Sequence, residues 1–488
     1  MRLKELLEAA GYESRSASDV EICGITADSR HVREGYVFVA IKGLRSDGHL
    51  HISEALSRGA VFVVAQRQVL GVSMLVVNST REALARLLDA WHNHPTKGLT
   101  LIGITGTNGK TSTAAMLYEI LGKAGKKCGL IGTVTATCGD EPLTLKGGDR
   151  LANFTTPDPE QLYPLLAQMR DLCAECVVME VTSHALFFEK VAPLRFSRAV
   201  FTNLTPDHLD LHGDMTSYFL EKRKLFLQSE MGIISLFSPY GQQLADSLET
   251  PFLTVGRANV QQVKASGDSG VCFSLFFEGK SIDVSLPVPG DFTVENAALA
   301  AMTALSLGVP SEVVVSALAG FRGVRGRMER VGENALGISV FLDYAHTPDA
   351  LEKLLLSVRR FRRQGQRIIL LFGCGGDRDR SKRRKMGRIA SRLADLSIIT
   401  SDNARGEDPT AIIADILKGI DKEKPYKIVV DRREAIAFAI EAARKGDIVL
   451  LAGKGHEEYE IRGRERLPFS ERQIVKECLE KRAEGEFI

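Results

Sequence analysis

No apolar run in these 488 residues approaches the roughly 18 consecutive apolar positions that a bilayer-crossing helix needs, so membrane insertion is not expected. No charge of one sign prevails either. The 63 lysines and arginines nearly cancel 61 aspartates and glutamates, which removes the electrostatic case for nucleic acid or an anionic membrane as partner. The eight cysteines are scattered, and only Cys173 and Cys176 form a C-x-x-C pair. With no second pair and no nearby histidine set to complete a zinc site, these read as core or strand-edge thiols. Internal repeats and low-complexity tracts are missing as well. The first residues, Met1-Arg-Leu-Lys-Glu-Leu-Leu-Glu8, read as an amphipathic helix carrying acidic groups, unlike a signal or transit peptide. A cytoplasmic protein with reduced cysteines is therefore expected. The length exceeds one ordinary core and suggests about three domains.

What is present begins with Gly103-Ile-Thr-Gly106-Thr107-Asn108-Gly109-Lys110-Thr111. An apolar run at 99–104 reads as a buried strand, and Ser112 opens a stretch with helical spacing and good helix formers. A strand, a glycine-rich turn and a helix N-terminus make an anion site: backbone N–H groups close on phosphate oxygens, Lys110 adds a point charge, and Thr111 can ligate magnesium. The strict nucleotide-loop pattern has glycine where Ile104 stands, so this is a variant loop.

Three domains are expected, at 1–97, 98–330 and 331–488. The first mixes short helices with strands such as 37–41 and 60–65, and the polar stretch 92–98 reads as a linker. From 99 to about 326, apolar strands alternate with helical stretches, for example at 128–132, 177–180 and 199–202. A second alternating unit follows, with strands expected at 339–343, 367–372, 396–400, 427–430 and 447–451. Both units read as mostly parallel sheets with helices on their faces, the central one of phosphate-loop type and the last Rossmann-like. Ligands of such sheets gather at the carboxyl ends of strands.

Polar clusters fall at those ends. Glu180 closes an apolar strand where Thr111 should emerge; it reads as a magnesium-holding carboxylate or as a capping, ion-paired one. Two aspartates and two histidines, Asp207, His208, Asp210 and His212, crowd six residues of a loop, which packing does not explain. Lys222 lies ten residues on, in a helical stretch, and its position alone reads as an exposed lysine on a solvated face.

Four motifs then occur in a telling order: Gly106-Thr-Asn-Gly-Lys-Thr111, Asp207-His-Leu-Asp-Leu-His-Gly213, Asp343-Tyr-Ala-His346-Thr-Pro-Asp349 and Gly453-Lys-Gly-His-Glu457. Together they resemble the Mur ligases, ATP-dependent amide-bond ligases of peptidoglycan precursor synthesis, over nearly the whole chain from about Thr26 to Arg472. The third and fourth motifs are similar to the tripeptide synthetase branch, which extends UDP-N-acetylmuramoyl-L-alanyl-D-glutamate. The resemblance implies magnesium and ATP, small-molecule substrates, no nucleic acid and no membrane; a monomer is expected. ATP would phosphorylate the D-glutamate side-chain carboxylate, and an amine would displace the phosphate.

Roles carry over by position. The resemblance makes Lys110, His208 and Lys222 catalytic, with Lys222 carbamylated, and gives the metal Thr111, Glu180, His208 and Lys222. ATP would meet Gly106, Thr107, Asn108, Gly109, Lys110, Thr111 and Ser112, with Asn296, Arg327, Asp343 and His346. The UDP-muramoyl-dipeptide would meet Ser29 and Arg30 of a UDP-binding N-terminal domain, then Thr155, Thr156, Thr182 and Lys190. Without the resemblance, Ser29-Arg30 reads as a structural turn and Gly326-Arg-Met-Glu329 as a linker. The incoming amino acid would meet Arg378, Asp402, Asn403, Ala404, Arg405, Gly453 and Glu457. Arg405 matches the arginine that pairs with the distal carboxylate of meso-diaminopimelate, so that amino acid is expected over L-lysine. Ala404 stands where those members carry proline, Lys190 where the family carries arginine, Phe188 for a frequent glutamine, Thr293 for a frequent asparagine, and Glu471 for a frequent aspartate. A sister ligase acting on D-alanyl-D-alanine or folate, a non-catalytic binding protein and a phosphate-loop kinase are the weaker readings.

Overall fold

Four short strands, Gly24–Thr26, Tyr36–Val39, Ala60–Ala65 and Met74–Val76, pair in that order as a parallel sheet. The molecule is known from a computed structural model that describes residues 1–14, 19–43, 46–144, 155–331 and 336–484. The helix Thr80–Trp91 starts where the Ser79 hydroxyl accepts from the Glu82 amide. It buries Ala83, Leu84, Leu87 and Leu88 with Leu3, Leu6 and Leu7 of the opening helix Leu3–Ala9.

The central sheet has eight strands, in the order Phe252–Val255, Ser229–Ser235, Phe196–Phe201, Thr100–Thr105, Cys176–Glu180, Cys128–Ile131, Ala136–Cys138 and Glu141–Pro142. The first six are parallel and the last two antiparallel. Thr100–Thr105 is thus flanked on both sides and almost fully buried, as its unbroken apolar run requires. The helix Lys110–Lys123 packs on one face against Asp291–Ser306 and Ser311–Ala319.

The last unit has a six-stranded sheet: Glu329–Arg330, Ser339–Asp343, Ile448–Ala452, Ile368–Phe372, Leu396–Ile399 and Tyr426–Ile428. All pairs are parallel except the short first edge strand. The molecule therefore has the three-domain α/β architecture expected from the alternation of strands and helices. One part departs from that alternation. Val260–Ala265, Val271–Phe277 and Lys280–Leu286 form a separate antiparallel sheet, where the expected pattern was strand and helix by turns. Ile282, Val284 and Leu286 are buried while the residues between them are exposed, a period of two that suits a one-faced sheet. All eight cysteines are free thiols, with Cys176 buried in its strand and Cys173 exposed. Among the described residues, no helix is long and apolar enough to cross a membrane.

Candidate active site

The strand Thr100–Thr105 delivers its glycine-rich turn to the carboxyl edge of the central sheet. Gly106 and Gly109 have φ of +148° and +86°. A side chain at Gly106 would strike the Thr202 hydroxyl and one at Gly109 the Asn296 amide, so conformation and close approach both demand glycine. The loop after Phe196–Phe201 laces the turn in place. Asn203 accepts from the Thr107 amide (2.9 Å, backbone carbonyl) and from the Asn108 amide (3.0 Å, side-chain Oδ1), and the Thr202 hydroxyl donates to Asn108 O at 2.6 Å.

Two lysines converge on one carbonyl of this turn. Lys110 Nζ donates to Gly106 O (2.9 Å) and Thr107 O (3.0 Å), and Lys222 Nζ also donates to Gly106 O at 2.9 Å. Lys222 is buried, contrary to its reading as a solvated lysine, and lies 4.7 Å from the centre of the Tyr218 ring. Burial and the neighbouring Lys110 charge drive its ammonium well below the usual lysine range. Burial lowers Lys110 too, opposed by Glu180 and Asp207.

Glu180 is buried at the end of the adjacent strand. Its Oε2 accepts from the Thr111 hydroxyl at 3.0 Å, and its Oε1 from the Thr133 amide at 2.8 Å. His208 has φ of +53° and stands 3.5 Å from Asp207 across Nε2 and Oδ2; its ring meets His184 edge-on at 4.6 Å. His212 stacks on Tyr218 and shares a 3.0 Å hydrogen bond with Ser183 Oγ. Asn296, on the helix Asp291–Ser306, accepts from the Thr113 hydroxyl beside Gly109, and Ser112 lies in the first turn of Lys110–Lys123.

The last domain closes over this edge. Arg327 reaches Thr111 Oγ1 at 3.4 Å and lies over the Tyr344 ring, so the stretch 326–329 is more than a linker turn. Asp343 accepts from the Met328 and Ala345 amides, both at 2.8 Å, and burial raises its carboxyl. His346 Nδ1 donates to Tyr344 O at 2.8 Å, and burial pushes its imidazole down to about 4. Asp349, absent from the expected site set although it ends the third motif, accepts from Asn108 Nδ2 (3.0 Å) and Thr205 Oγ1 (3.2 Å).

A cavity of about 1470 Å³ joins the three domains, from Asp28 through Asp207 and His208 to Arg405. Thr155, Thr156, Thr182 and Lys190 line it; the Thr156 hydroxyl donates to Glu180 O at 2.9 Å, and Lys190 pairs with Asp158 at 2.7 Å. Asn153 and Phe154, which precede Thr155, lie outside the described residues. Ser29 and Arg30 are beside the cavity but not in its wall: Ser29 Oγ donates to Glu54 at 2.8 Å, and Arg30 pairs with Asp28 at 2.6 Å.

The far end holds Arg378, Asp402, Asn403, Arg405, Gly453 and Glu457 in one wall. Asn403 Nδ2 donates to Glu457 at 2.8 Å, and Arg405, at φ +52°, donates to Gly376 O at 3.0 Å. Ala404 is buried behind them. Beneath lies a residue that the sequence reading passed over. Lys454 is fully buried, 3.5 Å from Asp402, and donates to Asn403 Oδ1 at 3.0 Å. Its motif was visible, but nothing in the pattern tells which member of Gly453-Lys-Gly points inward. Glu471 also proves structural, in a buried 2.8 Å pair with Arg432.

Among the described residues, no three His, Cys, Asp or Glu side chains form a metal cage. The Glu180 carboxylate beside the Thr111 hydroxyl instead matches what magnesium takes, one or two carboxylates completed by phosphate and water oxygens.

Three protein-family models match the chain. A model of the Mur ligase family catalytic domain covers residues 21–92, one of the Mur ligase middle domain residues 104–304, and one of the Mur ligase glutamate ligase domain residues 326–455. The chain is 42% identical to the UDP-N-acetylmuramoyl-L-alanyl-D-glutamate–2,6-diaminopimelate ligase of Caldanaerobacter subterraneus subsp. tengcongensis, over 98% of this chain and 99% of that one. It is 40% identical to the protein of the same name from Clostridioides difficile, over 99% and 100%. A solved structure of a UDP-N-acetylmuramoyl-L-alanyl-D-glutamate–2,6-diaminopimelate ligase, 28% identical, superposes with a TM-score of 0.67 over 95% of each chain. MurF from Acinetobacter baumannii, at 19% identity and a TM-score of 0.65, shares the fold.

Proposed function

The chain belongs to the Mur ligase family, and from that premise we propose that it joins meso-diaminopimelate to the D-glutamate side-chain carboxylate of UDP-N-acetylmuramoyl-L-alanyl-D-glutamate, forming ADP and phosphate. The observation that carries this reading is the cavity in which a hydroxyl-lined wall, the Asp207, His208 and His346 cluster beside the phosphate turn, and an arginine-bearing end meet.

ATP lies along the turn 106–111, its phosphates facing Lys110 and the first amides of the helix Lys110–Lys123, and its far end facing Asn296, Arg327 and His346. Lys110 releases its two loop carbonyls to do so, exchanging weak acceptors for an anion. Glu180 and Thr111 would hold a magnesium ion, which would supply positive charge against the transferred phosphoryl group. A free ammonium at Lys222 would repel that ion; burial holds the side chain toward the neutral amine, the form that takes up carbon dioxide, and the resulting carbamate is an anion. Thr155, Thr156 and Thr182 align the muramoyl-dipeptide so that its carboxylate meets the phosphoryl group. The amine, held from the Glu457 and Arg405 end, then attacks the acyl phosphate.

Arg405 favours an amino acid with a distal carboxylate over L-lysine, which would bring a second cation to it. ADP release with ATP, the UDP-muramoyl-dipeptide and either meso-diaminopimelate or L-lysine tests both parts. Turnover with diaminopimelate alone is expected. No phosphate release with either would defeat the ligase reading, and preference for lysine only the choice of amino acid.

A further inference from the structure

Arg81 is a cation of the cavity wall with no acidic partner among the described residues. Arg81 opens the helix Thr80–Trp91 of the first domain, yet its guanidinium lies 4.5 Å from the centre of the Phe188 ring of the central domain. It is half-buried, lines the large cavity, and donates through Nη2 to Lys42 O at 2.8 Å. Among the described residues no carboxylate comes within ion-pair distance of it: Asp158 is engaged by Lys190, Glu189 by Ser79, and both act on Arg81 only at longer range.

A half-buried guanidinium held over a ring and tied to a backbone carbonyl is restrained, and that carbonyl occupies only one of its donors. The remaining N–H groups suit a planar or tetrahedral oxyanion, and burial without a counter-ion costs free energy that an arriving anion returns. We propose that Arg81 binds an oxyanion of the nucleotide-sugar substrate across the seam between the first two domains. This rests on the ligase reading above and deepens it. The shared chemistry is a phosphate or carboxylate oxygen; the substrate offers both, in its diphosphate and in its peptide. Because Arg81 belongs to one domain and Phe188 to the other, the bound anion also ties the two together.

Steady-state kinetics on Arg81→Met, which keeps the stem over Phe188 and removes the charge, tests this. The KM for the UDP-muramoyl-dipeptide is expected to rise about 10- to 100-fold, the equivalent of one charge-assisted hydrogen bond or bidentate pair. The KM values for ATP and diaminopimelate should stay within about twofold, the scatter of an untouched site. Arg81→Lys, which keeps charge but loses the fork, should raise the same KM by a smaller factor, and it covers the case in which the methionine variant does not fold. The inhibition constant of UDP-N-acetylglucosamine separates the two sources: a parallel loss in Arg81→Met assigns the diphosphate, and an unchanged value assigns a peptide carboxylate. A fall in melting temperature with every KM unchanged would overturn the proposal and leave Arg81 a brace for Phe188. Inactive wild-type protein in the same assay would instead strike the ligase reading itself.

Discussion

The phosphate turn and the amino-acid end of the neighbouring cavity handle charge in opposite ways. At the phosphate turn, Lys110 and Lys222 both donate to the carbonyl of Gly106, and among the described residues neither has a carboxylate within ion-pair distance. At the amino-acid end, charges are matched in advance: Lys454 lies against Asp402, and Arg432 against Glu471, all deep in the protein. Burial works against the Asp402 charge, but Lys454 and Arg432 outweigh it and hold the carboxyl below the usual range. The first end is thus incomplete until an anion arrives, while the second is a finished frame. Polyanionic ATP supplies what the first lacks; a zwitterion needs a rigid, sign-patterned receptor.

This contrast makes distinct demands on mutation. At the unfinished end, charge should matter for turnover and little for folding. Glu180→Gln keeps the shape beside Thr111 and Thr133 but removes the anion, and should cut kcat by about 10³-fold with a melting temperature near wild type. Full activity in that variant would end the assignment of Glu180. At the finished end the order should reverse. Lys454→Met leaves Asp402 buried without its partner, at a cost of about 3–5 kcal/mol in stability. Limited proteolysis and thermal melting read this directly; a melting temperature matching wild type would show that the frame does not depend on that pair.

The sequence makes the unfinished end far more legible than the finished one, for a physical reason. A strand, two obligatory glycines and Lys110-Thr111 lie within a few adjacent residues, so local pattern contains the site. The frame is assembled from Asp402, Arg432, Lys454 and Glu471, far apart in the chain and joined only by the tertiary fold. Lys222 falls between these cases. Charge alone marks it as solvated, yet Tyr218, Lys222 and Phe226 recur every four residues and are all buried, so helical spacing places the lysine on the inner face. The antiparallel sheet at 260–286 is less legible because only Lys280–Leu286 alternates, whereas Val260–Ala265 is almost wholly exposed and Val271–Phe277 is buried or half-buried throughout. Arg81 had no motif at all; only the meeting of two domains gives it a partner.

Smaller effects sharpen the amino-acid end further. Arg405 is held at positive φ, with its amide donating to Ile461 O and its guanidinium to Gly376 O. Removing it with Arg405→Ala should cost about 1.5–3 kcal/mol of diaminopimelate binding, read as a KM about 10- to 150-fold higher with the ATP KM unchanged. An unchanged KM for diaminopimelate would detach that arginine from the distal carboxylate.

The smallest expected effect concerns Ala404, where diaminopimelate-adding relatives of this pattern carry proline. Among the described residues its amide donates no hydrogen bond, while its carbonyl accepts from the Glu407 amide at 3.0 Å, so proline would forfeit no donor at this position. Ala404→Pro narrows the unfolded chain and should stabilise by about 0.4–1 kcal/mol. If the frame is already finished, the stability gain should appear with almost no change in KM, because Arg405 is tied at both its amide and its guanidinium. A large fall in KM would instead show that this loop still moves, and that the contrast between the two ends is one of degree. A drop in melting temperature would mean that the backbone at Ala404 cannot take the proline φ, so that alanine is what the buried turn requires.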